Sequence, residues 1–360
     1  MAVYRYLAAD LITNTILAEL PLSGARFDLR LNGAGSLTAQ LMITDPKVAA
    51  LPFLAATEPG RTALYVDRDG VLLWGGIIWT RRSSGDRLEL GGLEFESYFS
   101  RRLITTDAVF TAVDQLTIAR SLISTAQGVS GGNIAVNLDS STSGVLRDRT
   151  YNGYELKPVL ESLQQLSAVD NGFDYAIDVA YVAGAPTRTL NLGYPRRGTQ
   201  AASSGFMFEY PGNVQSYVWP EDSTSQATTS YATGAGTGPG QLRASSSRTD
   251  LITAGYPLLE GKFSYIDVVV QSTLQAHAAG DVKALGTPIV VPQITVRADL
   301  DPVVGSYIVG DELRLRITDD RFAGTSIATG IDTYKRITAI AVTPPGSGAE
   351  TVTLTLGDIV

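Results

Sequence analysis

The sequence predicts a mainly β fold with α+β insertions, and three observations carry that prediction. Short runs alternate apolar and polar residues with a period of two over residues 1–104, and the same pattern returns over 290–360. Asn, Asp, Gly or Ser turn chemistry ends nearly every run. Helical periodicity is confined to three stretches between these β segments, so the layout reads β, α+β, β, helix, β.

The first segment is antiparallel. Runs at 4–10 and 16–22 flank Thr13-Asn14, and Phe27, Leu29 and Leu31 alternate with Asp28 and Arg30 before the turn Asn32-Gly33-Ala34-Gly35. Leu37, Ala39, Leu41 and Ile43 resume the alternation. A hairpin follows from 62–66 through Asp67-Arg68-Asp69-Gly70 into 71–80, and 87–93 pairs back after Ser83-Ser84-Gly85-Asp86. So many short strands in so few residues predict a small barrel or sandwich.

Composition changes after Arg101-Arg102. Leu116, Ala119, Leu122 and Ile123 have helical spacing, with Asp114 as N-cap and a stop at Gly128. Leu156, Val159, Leu160, Leu163 and Leu166 predict a second helix with Pro158 in its first turn. Asn171-Gly172 then turns the chain into strands at 173–181 and 187–192, which makes 105–204 an α+β unit. Strands at 206–210 and 214–219 precede 222–248, a stretch of Ser, Thr, Gly and Ala too poor in apolar residues to support a core of its own. A third helix is expected from Ser264, with Asp267 completing a capping box, through Ile266, Val270, Leu274 and His277 to Gly286; Gly280 weakens its interior. The last strands are 294–297, 312–318, 334–342 and 351–356, framed by Gly310-Asp311 and Pro344-Pro345-Gly346-Ser347-Gly348. No exact repeat is present.

Composition narrows the chemistry. The 360 residues contain no Cys and one His, which removes disulfides, thiolate nucleophiles and Cys- or His-based metal sites. With 44% hydrophobic and 18% charged residues and a mean hydropathy near zero, the chain is built to fold. A net charge of −8 argues against a surface made to grip DNA or an anionic membrane. Arg outnumbers Lys 23 to 5, which suits fixed, bidentate contacts between subunits and equally reflects a GC-rich coding sequence. The N-terminus lacks the basic start and apolar core of a secretory signal, and the longest apolar run, 71–79, is about half of what a helix needs to cross a bilayer. A product that is soluble when made is expected.

Each candidate for chemistry has a plainer reading. The run Gly234-Ala235-Gly236-Thr237-Gly238-Pro239-Gly240 lacks the flanking strand and helix of a phosphate loop, and no Lys follows it, so a flexible or surface-following loop is expected. Asp67-Arg68-Asp69-Gly70 lacks the later Glu of a calcium loop and reads as a hairpin tip. Asp319-Asp320 and the pair Asp299 and Asp301 could act as acid and base on a glycoside, but read as turn residues. His277 is the only base available to a Ser-His-Asp triad, and no nucleophile elbow accompanies it; a half-buried helix histidine is expected. Trp74, Trp79 and Trp219 could form a sugar platform, or pack in the core. No catalytic, cofactor-binding or metal-ligating residue is assigned, no cofactor is expected, and an enzyme is not predicted.

Several stretches, in order, resemble minor tail proteins of siphophages that infect actinobacteria, within the tail-hub (baseplate-hub) family. They are Leu31-Asn32-Gly33-Ala34-Gly35-Ser36-Leu37 leading to Asp45-Pro46; Gly234-Ala235-Gly236-Thr237-Gly238 with Gln241-Leu242; Tyr256-Pro257-Leu258-Leu259-Glu260 with the helix from Tyr265; Val309-Gly310-Asp311-Glu312-Leu313-Arg314; Tyr334-Lys335-Arg336-Ile337; and Thr351-Val352-Thr353-Leu354-Thr355-Leu356-Gly357. The unit 105–204 matches only by its element pattern.

The resemblance implies a tail-hub-like fold with two small antiparallel β-barrel domains and two helix-containing domains. Their expected bounds are 1–104 for the first barrel, 105–204 for the α+β domain, 205–232 with 290–360 for the second barrel, and 233–289 for a helix-containing insertion. It implies a structural virion protein at the tail tip, made in the host cytoplasm. Three copies would form a ring that adapts a six-fold tube to a three-fold tip around the DNA exit channel, without specific DNA binding. The implied partners are two further copies, a distal tail ring protein, a tape-measure protein and tip or fibre proteins, with no membrane anchor. The rival readings are a receptor- or glycan-binding tip protein and a cell-wall hydrolase.

Overall fold

Strand β5 (Thr62–Arg68) is buried along almost its whole length because β1 (Tyr4–Asp10) pairs on one side and β6 (Val71–Ser84) on the other. The β5–β6 hairpin turns on two residues, Asp69 and Gly70, both at positive φ (52° and 88°), as a two-residue turn that follows the right-handed strand twist requires. β2 (Ile16–Glu19) lies outside β1, and β7 (Arg87–Glu94) continues the sheet to β4 (Ser36–Met42) and β3 (Ser23–Arg30). Short helices α1 (Pro46–Ala49) and α2 (Glu96–Phe99) occupy the loops. The run expected at 16–22 stops at Glu19, before Pro21, which has no N–H to extend a ladder.

The computed structural model describes residues 2–169, 171–266, 268–286, 290–322, 330–346 and 349–359. Asp267, the proposed capping partner, and Ser347-Gly348 of the last turn lie outside them.

β8 (Ala108–Asp114) and β10 (Leu146–Tyr151) form a two-stranded ladder that the sequence reading lacks. Helix α3 (Gln115–Gly128) starts at Asp114, whose carboxylate accepts from Leu116 N at 2.9 Å, and ends at Gly128, as expected. Helix α4 (Val159–Ser167) starts later than its apolar spacing suggests: Pro158 is the residue before its first turn, and Leu156 is left-handed (φ 49°) and half exposed. β9 (Val136–Leu138), β11 (Asp174–Val182) and β12 (Ala185–Gly193) make a three-stranded sheet in which β9 runs parallel to β12. α5 (Ala201–Ser204), β13 (Met207–Tyr210) and β14 (Val214–Val218) follow.

The C-terminal strands β18 (Gln293–Val296), β19 (Glu312–Ile317), β20 (Ile331–Thr343) and β21 (Thr351–Gly357) do not close a second barrel. Among the described residues they join the N-terminal strands in one 13-stranded sheet, ordered β14-β18-β21-β20-β3-β4-β7-β6-β5-β1-β2, with β19 pairing β20 and β13 pairing β19. The reason is local. β3, whose far edge a closed N-terminal barrel would need for its own strands, gives that edge to β20, with Leu29 opposite Ile340 and Phe27 opposite Val342. Phe27, Ile340 and Val342 are all buried, so the pairing extends one apolar face.

Nor does residue 104 separate two cores. Leu7, Tyr65, Ile77 and Phe95 share one cluster with Leu116, Ile123, Leu163, Phe173, Tyr175 and Leu190. The chain divides into two compact units, Met1–Tyr217 with Ile294–Val360, and Val218–Gln293.

In the second unit, β15 (Thr229–Thr233) pairs antiparallel with β16 (Arg243–Ser247) and parallel with β17 (Glu260–Ser264), and α6 (Thr249–Thr253) lies between β16 and β17 in the chain. The stretch 222–248, read as too poor in apolar residues to support a core of its own, contributes two strands. Its apolar poverty is met by α7 (Gln271–Leu285), which buries Leu274 and Ala278 against Ala232 and Ala244. α7 begins seven residues after Ser264, which instead ends β17; Ile266 and Val270 precede the helix and are exposed.

Candidate functional site

The densest polar locus forms where the β11 strand meets the C-terminal strands. Asp174 opens β11, and its carboxylate accepts from Asn32 Nδ2 (2.8 Å), from Arg197 N (2.9 Å) and from the Arg336 guanidinium. Arg197 pairs with both oxygens of Asp178 and donates to Val309 O. Arg336 donates to Gly310 O (3.1 Å) and Arg197 O (3.1 Å). Asp311 and Glu312 accept from the backbone of Thr199 (2.6 Å) and Ala201 (2.7 Å). Five separate chain segments, at Asn32, 174–178, 197–201, 309–312 and Arg336, are therefore held in register by charge-assisted bonds. Buried pairs of this kind contribute little net stability against an apolar core, but breaking one is costly.

Two further carboxylates lie beneath this lattice, at the end of β7. Glu94 accepts from Gly35 N (2.6 Å) and Arg30 N (3.3 Å), tying β7 to the β3–β4 turn. Glu96 accepts from Ile177 N at 2.5 Å, tying α2 to β11, while its Oε2 has no hydrogen-bond partner among the described residues. Burial pushes Glu96 up to about 7, and burial together with the charge of Glu96 holds Glu94 well above the ordinary carboxylate range. Raised carboxylates can mark catalysis. Here the cause is desolvation, and the bonds run to backbone amides of neighbouring strands, which is the work of a clamp.

The sequence-level candidates are scattered rather than gathered. Trp74 is fully buried, with Nε1 donating to Asp28 O at 3.1 Å, and so offers no platform to a sugar. Trp79 is half-buried and donates to Ser97 Oγ at 2.8 Å, and Trp219 is half-buried in the second unit. Asp67 is buried in β5, accepting from Gly70 N (3.0 Å) and Tyr181 OH (2.7 Å), so the calcium-like run is a strand end and hairpin tip. Asp319 accepts from the backbone of Arg321 (3.0 Å) and Phe322 (2.9 Å) and from Tyr217 OH, closing a turn, while Asp299 pairs with Arg297 at 2.9 Å. Asp320 and Asp301 are exposed. His277 is half-buried on α7, stacked on Tyr265 with ring centres 4.1 Å apart, and Tyr265 OH donates to Asp281 at 2.5 Å. The glycine run 234–240 forms the loop between β15 and β16. Among the described residues no three of His, Asp and Glu gather as a metal site, and no helix is long and apolar enough to cross a membrane.

Sequence reading missed the buried arginines. Arg188 is fully buried; Arg197 and Arg336 are nearly so. One signal was available: in β12, Arg188 falls in the same alternation as Leu190 and Leu192, the core-facing side. The exposed features lie elsewhere. β2 is an end strand of the large sheet, and Ile12, Ile16 and Leu17 are exposed around it. A sheet edge is a template for pairing with another chain, and here the one charge on β2, Glu19, is paired with Arg5 of β1.

No family model matches the chain, and no curated protein matches it by sequence. Solved structures do match. A tail protein from Neisseria meningitidis MC58 is similar at 14% identity and a TM-score of 0.59, over 98% of this chain and 96% of that one. The 43 kDa tail protein of prophage MuSo2 from Shewanella oneidensis is similar at 12% identity and a TM-score of 0.61, over 98% of each chain. The prophage tail protein gp18 from Listeria monocytogenes EGD-e follows at 12% and 0.55, over 98% of this chain and 94% of its own. At these identities the likeness speaks for the backbone alone, and over nearly its whole length this chain has the fold of phage tail proteins.

Proposed function

We propose that the chain is a structural component of a siphophage tail, a hub whose three copies form a ring at the distal end of the tail tube and surround the DNA exit channel. The observation that carries this reading is the end-to-end fold likeness to phage tail proteins, with TM-scores of 0.55 to 0.61. Two strand-rich segments per chain, β1–β7 and β13–β21 without the second unit, give three copies six such segments, which suits a six-fold tube above a three-fold tip. The exposed edge at β2 supplies a surface for a neighbouring chain, and a closed head-to-tail ring avoids open filaments. A net charge of −8 per copy suits a bore through which DNA passes without being held. Its neighbours in the tail are a distal tail ring protein, a tape-measure protein and tip or fibre proteins. The role is structural: carboxylates and arginines are engaged in holding strands together.

Electron microscopy of the tail tip, with mass measurement of the purified chain, tests this. A three-fold ring at the tube end and a trimer in solution are expected. A monomer at high concentration with no ring in the particle overturns the reading, a six-fold ring reassigns the chain to the distal tail ring, and a bore lined with Arg overturns the channel part. Zymograms on host peptidoglycan and glycan binding assays are expected to stay blank.

A further inference from the structure

The large sheet contains one arrangement of strands twice, although no sequence repeat marks it. Its order reads β3-β4-β7-β6-β5-β1 in one half and β14-β18-β21-β20-β19-β13 in the other, and the counterparts follow one another along the chain in the same succession. β6 and β20 are the long strands, of 14 and 13 residues. Each carries a bulge against the strand after it, at Trp79 between Ile78 and Thr80, and at Thr338 between Ile337 and Ala339. Beside each bulge a glycine donates to the isoleucine: Gly60 N to Ile78 O and Gly310 N to Ile337 O, both at 2.7 Å. Counted from the bulges, 80–84 is the counterpart of 339–343. β13 departs from β1 in running parallel to its neighbour, and β2 has no counterpart.

The two halves meet inside the chain at one joint. The first part of β20 pairs with β19, and beyond the bulge the same edge pairs with β3, from Ala339 opposite Arg30 to Val342 opposite Phe27. Leu31 N donates to Thr338 O there at 3.0 Å. β6 repeats this only as far as its bulge. Its first part pairs with β5, but past the bulge it pairs with β7 alone, so among the described residues the other edge of 80–84 carries no strand. Arg82, Ser83 and Ser84 are exposed along it. β14, the counterpart of β3, ends the sheet with only β18 beside it among the described residues, and its Gln215 and Ser216 are exposed. Each chain therefore makes the joint once and leaves both sides of it open once.

We infer that the open joint is made between copies of this chain: the 80–84 edge of β6 in one copy takes β14 of the next, antiparallel, as β20 takes β3 within the chain. Backbone ladders form such a contact, so it does not need the side chains of the internal joint. Two different edges meet, which makes the contact head-to-tail and able to close into a ring. The inference rests on the proposed ring for the number of copies: three chains bring six arrangements and six like joints, three within chains and three between them. β2 stays free for another partner.

The chain has no Cys, so introduced cysteines report on the joint without background. Arg82→Cys or Ser83→Cys is combined in turn with Gln215→Cys, Ser216→Cys or Val218→Cys, which samples the registers that bring a pair within disulfide reach. Mild oxidation of the purified chain should convert at least one double variant to covalent dimers and trimers. Every single-cysteine variant should stay uncross-linked, because unlike edges meet. A trimer by mass in which no double variant cross-links overturns the joint and leaves the ring standing. Cross-linking of a single variant also overturns the joint, since it places like edges together. Cross-linked double variants whose assembled mass is not that of a trimer support the joint and overturn the three-copy ring. A monomer that yields no cross-link overturns both.

Discussion

The guanidinium of Arg188 lies 4.3 Å from the centre of the Phe95 ring, in a position closed to solvent and, among the described residues, with no carboxylate hydrogen-bonded to it. Its N–H groups are taken instead by Tyr65 OH (2.7 Å), Leu11 O (2.9 Å), Ile134 O and Asn14 Oδ1 (2.9 Å). This one side chain on β12 therefore ties β5, the β1–β2 turn and the segment before β9 together. Arg188→Met keeps the stem but strands these acceptors, and should lower the unfolding free energy by about 3–5 kcal/mol in guanidinium titrations. Arg188→Lys keeps the charge and loses the planar fork, so an intermediate loss is expected. A loss below about 1 kcal/mol in Arg188→Met would show that the cluster is ornamental.

Glu96 gives the fold an unusual pH dependence. Its pKa in the folded chain is pushed up to about 7 by burial, against about 4.3 for an unfolded chain. Between those values the folded state keeps a proton that the unfolded state has released, so its contribution to stability is full below about pH 4 and is lost as pH rises toward 7. Glu96→Gln keeps an acceptor for Ile177 N and has no proton to lose. The wild type minus Glu96→Gln difference in unfolding free energy should fall between pH 5 and 7 and level off above it; a flat difference removes Glu96 as the source.

Gly75 is required by packing. A Cβ there would lie 2.6 Å from Val179 Cγ1 and 2.9 Å from Phe95 Cε2, closer than real carbons approach. Its absence lets β11 pack directly on β6. Gly75→Val should cost about 1–3 kcal/mol through overpacking, read as a lower thermal midpoint, and the double variant with Val179→Ala should recover part of it.

The second unit should be removable. Arg297 N donates to Asn213 O at 2.9 Å, so β14 and β18 run antiparallel, and Val218 and Gln293 end up at the same end of the ladder. Replacing 219–292 by a short Gly/Ser linker should leave the first unit folded, with its near-ultraviolet circular dichroism intact. The excised segment rests on a fully buried apolar core of Ala232, Ala244, Leu274 and Ala278, too small to stabilise it alone. By itself it should show little cooperative unfolding. Collapse of the first unit on excision would contradict this.

Local structure was legible wherever a signal was local. The Asp114 cap, the Gly128 stop, the Asp69-Gly70 turn and the alternation of β19 depend on neighbours a few residues away, and each is where sequence alone places it. Helix starts were less legible, because apolar spacing continues past the point where Pro158 or the pairing of β17 redirects the backbone. The buried carboxylate and arginine lattice was not legible, because a charged residue in a strand reads as solvent-facing until its partner, such as Asp174 for Arg336, is brought from 162 positions away.

By itself, then, the sequence determined a mainly β chain with three helices of substantial length, without residues for thiol chemistry or for Cys- or His-based metal sites. The tertiary structure alone decided that the two β segments merge into one sheet, since that depends on which chain takes the free edge of β3. Hydrogen bonding along a strand edge is nearly indifferent to sequence. The choice between closing a barrel and extending a sheet was made by long-range packing of Phe27, Ile340 and Val342 on a shared face, and no local pattern encodes it.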